Sequence, residues 1–195
     1  MYKDIDIMNP DFTINCGGLD DATDIYQIMR DQQAKKYGYV IARKIKAFEY
    51  EILKIGESAP AEEFEKDSNR KVVIGERVER QIAKLNGWSQ PQQRSSHGQD
   101  LQNAVNDAII QGKLQADFDK NDVIIGVWNL SDRESTMVVT GKEESRWLEG
   151  ELTRQYKATH NGKLPMLNIV DPENNKAFRS PHVSKENYHK HFSFS

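Results

Sequence analysis

Two apolar runs joined by a short charged bend constrain this chain more than any other feature. Residues 37–42 read Tyr-Gly-Tyr-Val-Ile-Ala, and residues 50–58 read Tyr-Glu-Ile-Leu-Lys-Ile-Gly-Glu-Ser. Both are rich in β-branched and aromatic side chains, so each predicts a strand. The mostly charged segment 43–49 between them predicts a hairpin connection. Antiparallel pairing puts Tyr39 and Lys54 on one face wherever the register permits. A helical run over 75–86, with Val78, Ile82 and Leu85 on one face, carries Arg77 in its first turn back toward the strands.

The rest of the chain supplies elements that can cover such a sheet. Leu19, Ala22, Ile25, Ile28 and Met29 follow helical spacing, with Asp20 or Asp21 as a cap. This helix is expected to pack on the sheet, a dimer contact being the alternative. A second helix over 101–111 buries Leu101, Ala104, Val105, Ala108 and Ile109 and stops at Gly112. Residues 122–130 are almost continuously apolar, which predicts a third, interior strand. A helix over 143–160 presents Trp147, Leu148, Leu152 and Tyr156 at one spacing. Residues 1–18 read as irregular, 137–139 as a short strand extension, and 58–71 as an acidic insertion without calcium-loop spacing. The polar linker 87–100 holds Arg94, Ser96 and His97, which suit base edges or phosphates; a plain surface loop is the other reading. The tail, 171–195, predicts a surface or nucleic-acid-contacting arm. The expected fold is α/β (α+β): a small three-stranded antiparallel sheet flanked by helices. Residues 1–32 form an N-terminal extension with a helix, 33–169 the core, and 170–195 a C-terminal extension.

Composition narrows the function classes. The chain has 195 residues, 37% hydrophobic and 29% charged, and no run long and apolar enough for a membrane span. A single cysteine, Cys16, leaves no internal disulfide and suits a cytoplasmic protein. The net charge of −3 weighs against a nucleic-acid partner, because phosphate binding rests on Lys and Arg. A basic face with an acidic back remains compatible with one.

Five pieces occur in order: Tyr37-Gly38-Tyr39, then Lys54-Ile55-Gly56-Glu57-Ser58, then Arg77 opening a helix, then Glu149 within a later helix, then Pro165-Met166-Leu167-Asn168. This set resembles the GIY-YIG nuclease superfamily over residues 33–169. The resemblance implies an endonuclease that hydrolyses DNA phosphodiester bonds with Mg²⁺ or Mn²⁺ and leaves 5′-phosphate and 3′-hydroxyl ends. It implies a hydrolytic centre of Tyr39, Arg77 and Glu149, the last as metal ligand, with Asn168 steadying the site by hydrogen bonding. Ser58, Gln81 and Asn168 would lie toward DNA. Lys54 stands where the second motif has Tyr, similar to a Lys-Ile-Gly branch of the superfamily, and Gln81 stands where many members carry His or Tyr.

The chemistry of these residue types agrees with that assignment. Phosphodiester hydrolysis needs a positioned water and charge relief on the phosphate oxygens. A carboxylate such as Glu149 can hold Mg²⁺, which keeps several waters of its own. Arg77 offers a permanently charged fork for phosphate, and Lys54 either a proton acceptor or a plain cation. Tyr39 can orient or deprotonate the attacking water, provided cations lower its hydroxyl pKa. The expected protein is a stand-alone restriction-type or phage-type enzyme, with a homodimer as one arrangement open to it. The alternatives are a non-catalytic nucleic-acid-binding module with the same fold, and a partner-binding protein acting through its acidic loop.

Overall fold

A computed structural model describes residues 5–47, 49–59, 74–83, 85–89, 97–133, 141–172 and 184–194; for 97–102 and 141 it describes the backbone. Four strands, β1 (Phe12–Asn15), β2 (Tyr37–Lys46), β3 (Glu49–Ser58) and β4 (Val123–Asn129), form one antiparallel sheet in the order β1-β4-β2-β3. Helices are α1 (Asp24–Asp31), α2 (Glu76–Ile82), α3 (His97–Ile110) and α4 (Gly141–Thr159). The α+β class is as expected, but the sheet has four strands rather than three. The added strand, β1, comes from a stretch that reads as irregular. Four residues between Asn9-Pro10 and Gly17-Gly18 are too few to display a period, and pairing with β4 supplies the order that local preference does not.

Strict two-residue alternation sorts the side chains of the inner strands between two layers. Tyr37, Tyr39 and Ile41 of β2 join Val123, Ile125 and Val127 of β4 in a core under α1, α2 and α3. Val40, Ala42 and Trp128 face the opposite way, against Trp147, Leu148, Leu152 and Tyr156 of α4. β4 is buried on both faces, which is why its sequence is continuously apolar. α4 packs directly on the sheet at Gly38, where an added Cβ would lie 2.7 Å from the Leu148 side chain.

Several boundaries differ from the expected ones for identifiable reasons. The charged bend 43–49 is largely strand: Arg43 pairs with Glu51 and Lys46 with Glu49. At this exposed end, cross-strand ion pairs of 2.6 Å (Arg43–Glu51) and 3.3 Å (Lys46–Glu49) accommodate the charges. α1 starts at Asp24 rather than Leu19, because the aspartates here bind local backbone instead. Asp24 accepts from the amides of Asp20 and Asp21, and Asp21 from the amide of Thr23. Ile25 and Met29 of α1 are fully buried, so this helix packs into the core that holds Tyr37 and Tyr39. His97, placed in the polar linker by sequence, begins α3.

The tail segment 184–194 lies mostly exposed on the surface, as expected, and is anchored at several points. Tyr188 donates its hydroxyl hydrogen bond to Glu151, Gln155 donates to the Lys190 carbonyl, and Ser193 N–H donates to the Met8 carbonyl at 2.9 Å. Phe194 is buried against Tyr50, with ring centroids 5.2 Å apart, and Phe192 meets Trp128 edge-on at 5.7 Å. The acidic insertion beyond residue 59, the short extension 137–139, Arg94 and Ser96 lie outside the described residues.

Candidate functional site

β3 is an edge strand, and its outer edge explains how the site is held. Leu167 N–H donates to the Leu53 carbonyl at 2.8 Å. Asn168 then clamps the next exposed backbone groups with both ends of its amide: Ile55 N–H donates to Oδ1 at 2.8 Å, and Nδ2 donates to the Ile55 carbonyl at 3.0 Å. The segment thus satisfies edge groups that would otherwise need water or another strand. Lys54 lies between the two clamped residues. A bulge at Leu53 sets its register: Ile41 pairs with Lys54 and Ala42 with Ile52. Lys54 is therefore diagonal to Tyr39, on the same face.

Tyr39 pairs directly with Gly56. A Cβ at Gly56 would lie 2.4 Å from the Tyr39 hydroxyl oxygen, so the glycine exists to leave room for the tyrosine ring. Tyr39 is only 1% exposed, and burial raises its hydroxyl pKa, with Arg77 the opposing influence. Tyr37, 6.2 Å away between ring centroids, is equally buried, and its hydroxyl pKa is raised by the same cause. Tyr37 pairs with Ser58 across the ladder, and its buried hydroxyl makes no hydrogen bond among the described residues. In this buried arrangement Tyr39 is suited to positioning, and proton transfer from it requires added positive charge.

Glu149 is the electrostatic centre. Its carboxyl is half-buried and its pKa is pushed up to about 7, first by burial and next by the negative charge of Glu57. Arg77, Lys54 and Arg146 oppose that shift. Tyr39 feels both Arg77 and Glu149. Arg77 of α2 and Lys54 of β3 thus both act on Glu149 of α4, and Arg77 and Glu149 both act on Tyr39 of β2. Arg77 is exposed and Lys54 half-buried. Gln81 is not presented outward in the same way. It is 6% exposed, and its Oε1 accepts no hydrogen bond among the described residues. Asn168 spends its amide on Ile55. The side chain of His97 lies outside what is described.

Sequence reasoning passes over Glu57, Ser145 and Arg146. Glu57 stands beside Gly56 in the motif, yet its importance depends on which helix runs beneath it. Ser145 is fully buried and donates to Glu57 Oε2 at 2.7 Å. It lies four residues before Glu149, on the same side of α4. No group of three or more His, Cys, Asp or Glu able to hold a metal occurs among the described residues. The donors here are two carboxylates, a set that suits Mg²⁺ or Mn²⁺, which complete their shell with water and phosphate, better than Zn²⁺.

Comparison with family models, with curated proteins and with solved structures finds no match for this chain. No helix among the described residues is long and apolar enough to cross a membrane.

Proposed function

We propose that this chain is a Mg²⁺- or Mn²⁺-dependent endonuclease of the GIY-YIG type that hydrolyses DNA phosphodiester bonds. The reading is supported by the ordered motif residues Tyr39, Lys54, Arg77 and Glu149, drawn from four separate elements, with Asn168 clamping β3 beside Lys54 and the cations Arg77 and Lys54 acting on Glu149. Exposed Arg77 binds the non-bridging oxygens of the scissile phosphate as a bidentate cation. Lys54, on a strand whose edge is clamped on both sides of it, adds a second, fixed positive charge. Glu149, with Glu57 beside it, provides the negative end of the site. A bound divalent cation supplies charge relief to the phosphate and a more acidic water. Tyr39 packs under Gly56 and orients the groups around it.

The test is incubation of purified protein with supercoiled plasmid in Mg²⁺, Mn²⁺ or EDTA. The expected result is nicked and linear DNA with either cation and none with EDTA. Failure to cut several DNAs with either cation rejects the reading. One observation favours a second reading, a nucleic-acid-binding module without catalysis: Tyr39 is 1% exposed and its hydroxyl pKa is raised. Retarded DNA in a gel-shift assay, with no cleavage under any condition, selects it.

A further inference from the structure

The geometry points to Glu57 as a second carboxylate ligand of the divalent cation, held beside Glu149 by the Ser145 hydroxyl. This inference rests on the metal-dependent reading above. Three positions fix it. Glu57 pairs with Gly38 across the β2–β3 ladder, and at Gly38 the Leu148 side chain of α4 packs directly on the sheet. Ser145, buried in α4, donates a 2.7 Å hydrogen bond to Glu57 Oε2. Glu149 follows Ser145 by four residues, so the side chain that tethers Glu57 and Glu149 itself share one stripe of the helix. Glu57 is also the group whose charge acts most strongly on Glu149.

Two carboxylates gathered at one place repel each other when both are ionised, and a cation relieves this where a proton does not. Lys54 and Arg77 are within reach but are monovalent, and phosphate claims them in the proposed reaction. A divalent cation matches the charge of the pair. Mg²⁺ and Mn²⁺ take one or two carboxylates and fill the remaining positions with water and substrate oxygens. The Ser145 hydroxyl occupies Oε2 of Glu57 in the manner of the outer-shell hydrogen bonds that orient metal-binding carboxylates. Its Oε1 remains for the ion.

The test is Mn²⁺ binding to the full chain at pH 8, without DNA, followed by electron paramagnetic resonance of the free ion. Wild type is compared with Glu57→Gln, Ser145→Ala and Glu149→Gln, each checked for native circular dichroism. Gln at 57 is close to isosteric and still accepts from Ser145. Ser145→Ala, which keeps Glu57 but releases it, serves if Glu57→Gln does not fold. We expect Glu57→Gln to weaken Mn²⁺ binding about 10-fold or more, with Ser145→Ala intermediate. Wild-type affinity in both Glu57→Gln and Ser145→Ala, with loss in Glu149→Gln, overturns the role of Glu57 and leaves the nuclease reading standing. Absence of Mn²⁺ binding in the wild type overturns both.

Discussion

Glu149 concentrates the consequences of this arrangement in one side chain. With a pKa of about 7 against an ordinary 4.5, the folded state holds this proton more tightly than the unfolded chain does. The unfolded state therefore ionises first, and stability falls as pH rises from about 4.5 to about 7, then levels. The expected loss is on the order of 1–3 kcal/mol for a half-buried group. Thermal melts of wild type and Glu149→Gln across pH 5 to 8 check it: the wild type should lose stability relative to the variant, and parallel curves contradict the assignment. The same variant should abolish cleavage while leaving DNA affinity intact or raised, since it removes the proposed metal ligand and not a phosphate contact. Near wild-type cleavage would remove Glu149 from the site. Lys54 acts on Glu149 as a cation. Lys54→Arg, which keeps the charge but cannot accept a proton near neutral pH, should then retain most of the rate, whereas Lys54→Met should lose it by about tenfold or more. A large loss in the Arg variant would instead assign proton transfer to Lys54.

At the scale of elements, β3 is the piece whose placement matters most, and Asn168 is its fastening. Replacing Asn168 with Leu removes two hydrogen bonds and leaves the Ile55 backbone groups to find water, at a cost of about 1–3 kcal/mol. Because Lys54 precedes Ile55, we expect the variant to lose activity beyond what its lower melting temperature explains, measured well below that temperature. An unchanged rate would make the clamp purely structural. The elements differ in how far they can be read from residues alone. β4 shows an unbroken apolar run of 7 residues and α4 a helical period over 19, each long enough for the pattern to speak. β1 has 4 residues and exists only because β4 offers it an edge. α1 is displaced because aspartates bind the turn before it. Tyr39, Lys54, Arg77 and Glu149 stand out through motif order along the chain. Glu57 and Ser145 do not, because their link spans 88 positions and depends on α4 passing under Gly38.

At the scale of the whole molecule, the two ends of the β2–β3 hairpin do different work. Glu57 and Gly56 lie at one end with Arg77 and Glu149, while Tyr50 lies at the other under Phe194. Seven residue steps along β3 separate Glu57 from Tyr50, at most about 23 Å at the rise of a β-strand. The C-terminal segment closes the α4-side core at that far end. Phe194 and Phe192 pack on Tyr50 and Trp128, and Tyr188 reaches Glu151. A segment placed there stabilises the sheet without touching the groups proposed to meet the scissile phosphate. Phe194→Ala should therefore lower stability by up to roughly 3–5 kcal/mol, the range for truncating a buried Phe. At a temperature where both proteins are folded, its cleavage rate and DNA affinity should match wild type. Denaturant unfolding and gel-shift titration measure the two sides of this expectation. If affinity falls while stability holds, the tail is a DNA-contacting arm after all, and the bound duplex must extend along the hairpin from Gly56 to Tyr50.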